Sequence, residues 1–314
     1  MTTAAALPVA WPMRHLLDVD GLSRGELEGI LDLAVQMRLA RATGERSDAL
    51  AGEAVGLAFY EASTRTRVSF ELAATALGAR VVDLGIAGSS AAKGESLVDT
   101  LRTLERARIG TAVLRHASSG APYLAARGTG LRIVNAGDGT HAHPTQALVD
   151  ALTLREALGS LEGRAVAIIG DVAQRVARSN LHALRRLGAT VRLAGPPASV
   201  AGFASWPGVL VARTLDEALD GVDAVMCLRI QLERGSGTAV PSLGEYVRRW
   251  GLSTDRLEAS GARPDAPVLH PGPTNEGVEL TAELANGARS LIGRQVENGV
   301  PVRMAVLSLV AGRA

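Results

Sequence analysis

Phe59-Tyr60-Glu61-Ala62-Ser63-Thr64-Arg65-Thr66-Arg67 stands where two patterns meet. An apolar run over 54–60 enters it, and a helical pattern over 68–77 leaves it. The spacing predicts a strand, a turn and a helix N-terminus, with Ser, Thr, Arg and Thr in consecutive places at the junction. The first N–H groups of a helix and the positive end of its dipole favour an anion there. Hydroxyls and a guanidinium add donors suited to phosphate. An ordinary Ser or Thr N-cap flanked by exposed arginines accounts for the same residues equally well. The stretch alone does not choose between the two.

Working outward, strands and helices alternate on both sides. Upstream, Ser23 and Glu26 have the spacing of a capping box, and Leu27, Ile30, Leu31 and Ala34 mark one face of a helix that ends near Gly44. Downstream, Gly78 stops the helix and residues 79–84 read as a strand. A loop over 85–95 carries Ser89, Ser90 and Lys93. A helix over 96–107, a strand over 111–115, a short helix over 121–127 and a strand over 132–136 follow. That strand opens into a turn at Gly137-Asp138-Gly139, a solvated His141, then His143 and Pro144, with Pro144 at the start of a helix reaching 158.

Gly159 to Gly163 is the best place for a domain boundary, because a second alternating series starts there. Residues 165–169 form a continuous apolar strand, buried on both faces. A helix over 177–187 and strands over 190–194, 209–212 and 224–228 follow, separated by a weak helix near 199–204 and a clear one over 215–219. A polar loop over 228–241, two short helices at 243–250 and 254–259, a last strand over 267–270 and a final helix from near Thr281 complete the chain. The expected fold class is α/β: two open, mainly parallel-sheet α/β domains with the active site in the cleft between them, at the carboxyl ends of the strands. Residues 1–150 make the first domain and 151–285 the second, with a C-terminal helix at about 286–314 packing back on the first.

Composition narrows the function. The 314 residues are 47% apolar and 21% charged with a net charge of +1, so an anion site has to be local rather than a global basic field. Aromatics at 3% disfavour a base-stacking surface, and no nucleic-acid partner is expected. No apolar run approaches a membrane span, and no secretion signal is read at the N-terminus. Cys227, the single cysteine, sits in an apolar run and reads as a core residue in a reducing, cytoplasmic compartment.

The polar residues gather at strand ends. Ser63, Thr64, Arg65 and Thr66 follow one strand; Arg115, His143, Asp171 with Arg175, Arg229 with Gln231, and His270 with Pro271 and Gly272 follow others. Strand ends lead to polar loops in any protein, but that does not explain why the charges are mostly arginine. No cysteine or carboxylate pattern completes a metal set with His141 and His143, no nucleophile elbow occurs, and the glycine fingerprint of a dinucleotide turn is missing after Gly170-Asp171. Arginines, hydroxyls, one placed histidine and one loop lysine suit electrostatic stabilisation of an anionic reacting pair without metal or cofactor.

These residues resemble the aspartate/ornithine carbamoyltransferase family, over about 16–309. The motifs are Phe59 to Arg67, Lys93-Gly94-Glu95, Arg115-His116, His143-Pro144-Thr145-Gln146, Arg178-Ser179-Asn180, Arg229-Ile230-Gln231 and His270-Pro271-Gly272-Pro273, in the family's order. His270-Pro271-Gly272-Pro273 and Arg229 to Arg234 resemble the aspartate-accepting branch, in place of the His-Cys-Leu-Pro and Ser-Met-Gly sequences of the ornithine-accepting one. The resemblance implies transfer of the carbamoyl group of carbamoyl phosphate to the α-amine of L-aspartate, in pyrimidine biosynthesis. It implies that Ser63, Thr64, Arg65 and Thr66 hold the phosphate, with Ser89 and Lys93 reaching it from a neighbouring subunit of a homotrimer. Thr66, Arg115 and His143 would polarise the carbamoyl oxygen, and Gln146 with the backbone at Gly272 and Pro273 would contact the carbamoyl nitrogen. Lys93, Arg175, Arg229 and Gln231 would hold the two carboxylates of aspartate. A larger assembly with a regulatory chain or a dihydroorotase is a further implication.

Three positions depart from the family pattern. Ala62 replaces a proline, the segment from Asp171 to Arg175 is one residue short (which brings Arg178 forward as a substitute), and Glu276 stands where relatives carry arginine. Two other readings remain at this stage: a carbamoyltransferase with another amine acceptor, and a silent paralogue acting as a scaffold.

Overall fold

The computed structural model describes residues 13–85, 94–230 and 242–313. By contacts the chain divides into two compact units, 1–149 with 296–314, and 150–295. The division falls inside a helix, between Val149 and Asp150.

In the first unit, α1 (Arg24–Ala42) begins with the capping box: Ser23 accepts from the N–H of Glu26, and Glu26 accepts from that of Ser23. Next come β1 (Ala54–Phe59), α2 (Thr64–Ala76), β2 (Arg80–Asp83), α3 (Leu97–Arg106), β3 (Thr111–His116), α4 (Ala121–Gly128), β4 (Arg132–Asp138) and α5 (Pro144–Leu158). Gly78, at φ +80°, takes the left-handed position after α2 that a side chain would strain. The strands form a parallel sheet in the order β2-β1-β3-β4. Ala54, Ala58, Leu101, Leu104, Ala112, Leu114 and Ile133 pack one core cluster beside it.

The second unit contains β5 (Ala165–Gly170), α6 (Arg175–Arg186), β6 (Thr190–Ala194), α7 (Pro197–Val200) with a 3-10 turn at Ala201–Phe203, β7 (Val209–Val211), α8 (Leu215–Leu219), β8 (Ala224–Leu228), α9 (Leu243–Trp250), α10 (Thr254–Ala259), β9 (Val268–Leu269) and α11 (Ala282–Asn286). Its strands are parallel in the order β7-β6-β5-β8-β9. Burial of 166–170 on both faces matches the unbroken apolar run. Gly170 closes β5 at φ +107°, where a Cβ would lie 2.5 Å from the Leu228 carbonyl oxygen, so only glycine fits.

The single final helix expected from Thr281 is two helices. Thr281 caps α11, and Gly287 follows its end. Residues 289–291 then run alongside β9: the Val268 N–H donates to the Arg289 carbonyl and the Leu291 N–H to that of Val268. The last helix, α12 (Ile292–Ala311), starts only after this pairing. Its later turns belong to the first unit, where Arg303 lies over the Phe70 ring of α2 and Asn298 accepts from Arg38 of α1.

Both sheets reverse strand order once. In the first, the reversal lies between β1 and β3; in the second, between β5 and β8. Loops diverge at such points and leave a crevice at the strand ends, the usual place for a ligand in an open parallel sheet.

Candidate active site

In the first unit the reversal point is occupied by the Ser-Thr-Arg-Thr run. Ser63 is the N-cap of α2, yet its hydroxyl makes no capping hydrogen bond. Ser23, Ser96, Thr214, Ser242, Ser253 and Thr281 each accept the expected backbone N–H at their own helices. No acidic residue lies in the first turn of α2; Arg65 does, at the end where the dipole repels a cation. Thr64 and Arg65 are exposed, Ser63 half-buried and Thr66 buried. An ordinary cap would use its hydroxyl and welcome a carboxylate, and α2 does neither.

Arg115, near the end of β3, borders the same reversal. Its Nε lies 3.2 Å from Glu61 Oε2 with both side chains largely buried, and Nη1 donates to the Ala136 carbonyl at 3.4 Å. Glu61 was not among the residues singled out from sequence. A carboxylate two places before the Ser-Thr-Arg-Thr run was the available signal.

His143 is buried and immediately precedes α5, whose first residue is Pro144. Its carbonyl accepts from the N–H of Gln146 and Ala147. The loop before it is held by Asp138, which is fully buried and accepts from the N–H of Gly120 (2.7 Å), the N–H of Ala142 (3.1 Å) and Asn135 Nδ2 (2.8 Å). His141 is not simply solvated as expected. Its Nδ1 is 3.1 Å from Asp138 Oδ2, its Nε2 is 3.5 Å from Asp18 Oδ2, and Tyr123 meets its ring edge-on. Burial pushes the Asp18 carboxyl up to about 6. Gln146 is half-buried one turn into α5.

In the second unit, α6 opens at the β5/β8 reversal. Its N-cap is Gln174, with no capping side-chain bond and no acidic residue in the first turn. Arg175 is its first residue and is buried. Gln174 Nε2 donates to Asp171 Oδ2 at 2.5 Å and to the Arg229 carbonyl at 3.1 Å, tying the end of β5 to the end of β8. Arg178 lies 5.1 Å over the Trp206 ring, one turn after Arg175 on the same helix.

Arg229 follows β8. Its Nε is 3.4 Å from Asn275 Oδ1. Glu279, which is buried, accepts from the N–H of Ile230 (2.9 Å), the N–H of Asn275 (2.8 Å) and Asn275 Nδ2 (2.7 Å). Burial raises its pKa against the lowering effect of these bonds. Asn275 and Glu279 carry no local signal in the sequence that marks them as partners of the Arg229 segment. Glu276, the departure three residues before Glu279, is exposed. Gly272 and Pro273 follow β9 in the turn that starts at buried His270. Ser89, Lys93 and Gln231 lie outside the described residues. Among the described residues, no group of three or more His, Cys, Asp or Glu is placed to hold a metal ion, and no helix is long and apolar enough to cross a membrane.

Residues 14–156 match the aspartate/ornithine carbamoyltransferase carbamoyl-P binding domain, and residues 162–310 the Asp/Orn binding domain of the same family. The chain belongs to the aspartate/ornithine carbamoyltransferase family. Among its carbamoyltransferase relatives, an aspartate carbamoyltransferase catalytic subunit of Sorangium cellulosum is 50% identical over 306 residues, 97% of this chain and 95% of that one. One of Gluconobacter oxydans is 52% identical over 297 residues, 94% of each chain. The aspartate transcarbamoylase of Trypanosoma cruzi, solved with N-(phosphonacetyl)-L-aspartic acid, superposes with a TM-score of 0.84 at 31% identity, covering 96% of this chain and 97% of that one. The ornithine carbamoyltransferase of Pyrococcus furiosus reaches 0.86 at 26% identity, covering 98% and 99%. Shape therefore does not separate the two carbamoyltransferase branches here; sequence does.

Proposed function

We propose that this chain is an aspartate carbamoyltransferase, taking carbamoyl phosphate and L-aspartate to N-carbamoyl-L-aspartate and phosphate in the pyrimidine pathway. The observation that carries the reading is the N-terminus of α2: an N-cap serine that does not cap, an arginine at the positive end of the dipole, and hydroxyls beside it, at the strand-order reversal. The 50% identity to relatives named for this reaction supports the choice of acceptor.

In this reading Ser63, Thr64, Arg65 and Thr66 hold the phosphate of carbamoyl phosphate. Thr66, Arg115 and His143 polarise the carbamoyl oxygen, and Gln146 with the backbone at Gly272 and Pro273 holds the carbamoyl nitrogen. Arg175, Arg229 and Gln231 hold the carboxylates of aspartate. The α-amine attacks the carbamoyl carbon, the bond from that carbon to the phosphate oxygen breaks, and a phosphate oxygen takes the amine proton. The protein contributes orientation and donors aimed at developing charge; removing one such donor costs about 10²–10³ in rate.

The deciding assay offers purified chain carbamoyl phosphate with aspartate or with ornithine. Carbamoyl-aspartate formation is expected; its absence at saturating substrates, or preference for ornithine, refutes the reading. The reading includes a cytoplasmic homotrimer in which Ser89 and Lys93 enter a neighbour's site. Inactive Lys93→Ala and Arg65→Ala chains should then regain activity on mixing, and mixed trimers without recovery would overturn the shared site.

A further inference from the structure

Residues 270–273 can offer only two backbone N–H groups, because Pro271 and Pro273 have none. The Gly272 N–H donates to His270 Nδ1 at 2.9 Å, within the turn itself. The His270 N–H lies just past the end of the two-residue edge strand β9. Its acceptor comes from another element: Gln295 Oε1, at 2.9 Å. Gln295 is in the first turns of α12, brought there by the pairing of 289–291 with β9. The other end of the same amide, Nε2, donates to Asp150 Oδ1 at 2.7 Å. Asp150 Oδ2 accepts from Asn180 Nδ2 at 2.8 Å. Asp150, Asn180, His270 and Gln295 are all buried.

We infer that Gln295 is a positioning residue for the carbamoyl-contacting turn His270–Pro273, with Asp150 fixing which way its amide faces. The inference rests on the function proposed above. Gln295 must accept on one side and donate on the other. A carboxylate already receiving one amide N–H fixes the NH₂ end toward Asp150 and leaves the carbonyl for His270. Both N–H groups of the turn are thus held from the protein side, so the Gly272–Pro273 backbone meets the ligand in one arrangement. A loosened turn would leave the reacting carbon misplaced, and a misplacement of about 1 Å can cost about 10²-fold in rate.

Two substitutions test this in the full-length protein, each read as kcat and KM alongside the melting temperature. Gln295→Met keeps length and removes both hydrogen bonds; kcat should fall about 10–100-fold with the chain still folded. Gln295→Glu can replace glutamine only when protonated, since an ionised carboxylate would face Asp150 and have nothing to donate. Its kcat should therefore climb as pH falls, along a limb the wild type lacks. The other titratable groups around this position are His270 and the neighbouring Arg294–Glu156 ion pair, both unchanged in the variant. A wild-type chain that makes no carbamoyl-aspartate refutes the function and not the arrangement. With an active wild type, a Gln295→Met kcat within about twofold, or a Gln295→Glu profile parallel to wild type, overturns the inference.

Discussion

Replacing Glu279 by methionine should separate the two tasks of the Arg229 segment, keeping its shape and keeping its fold. Glu279 is 2% exposed and accepts three N–H groups, from Ile230, from Asn275 and from the Asn275 side chain. Methionine has similar length and no acceptor of comparable strength. Each buried donor left without a partner costs about 1–3 kcal/mol. The net loss should be about 3–5 kcal/mol, near the low end for three donors. Glutamine is the control. It keeps one acceptor oxygen for Ile230 and the Asn275 side chain and leaves the Asn275 N–H without an acceptor, so it should cost about 1–3 kcal/mol, less than methionine. Urea unfolding at pH 7 reads both, with an unchanged m-value required for the comparison. Because Asn275 stands beside Arg229, KM for aspartate should rise in Glu279→Met by about tenfold or more, while KM for carbamoyl phosphate holds. A methionine variant within about 1 kcal/mol of wild type, or a glutamine variant as unstable as the methionine one, would refute the hydrogen-bond reasoning.

Asp18→Asn should flatten part of the pH dependence of stability. A carboxyl held at about 6 rather than 3.8 keeps its proton in the folded state after the unfolded chain has lost it, so stability falls as pH rises through that window, by about 3 kcal/mol. Unfolding free energies of both chains at pH 4 and pH 7 check this; parallel curves would reject it. Gly170→Ala forces a side chain into the left-handed region with its Cβ 2.5 Å from the Leu228 carbonyl, and should cost more than about 1 kcal/mol and lower the yield of folded protein. Ala62→Pro, at the exposed turn before α2, should raise stability by about 0.4–1 kcal/mol with kcat intact, as read by thermal unfolding and the transfer assay.

The elements that sequence located best are those set by local chemistry. The capping box at Ser23, the stop at Gly78, Pro144 at the head of α5 and the apolar run of β5 are each decided within a few residues. What it could not supply is chemistry made by distant partners. The run 281–310 shows helical periodicity, and nothing local says that Val268 takes residues 289–291 as its neighbour. His141 looked solvated because Asp18, which meets it, lies far upstream. Asp150 and Gln295 are 145 residues apart, so their bond has no local trace. Ser63 is a different case: its place at the N-terminus of α2 is legible in the sequence, but whether its hydroxyl caps the helix is a matter of geometry that composition does not carry.

The second unit is a single uninterrupted segment set into the first, and its two end residues are Asp150 and Gln295. Their side chains touch at 2.7 Å, so the two ends of the segment lie side by side. This is the architecture of an insertable cassette. An acceptor-binding segment from an ornithine-accepting relative could be spliced between 149 and 296 with two closely spaced joints to match. Both joints fall within helices, α5 and α12, where one residue more or less turns everything downstream by about 100°. Length at the seams would have to be preserved to the residue, while the loops inside the cassette could vary.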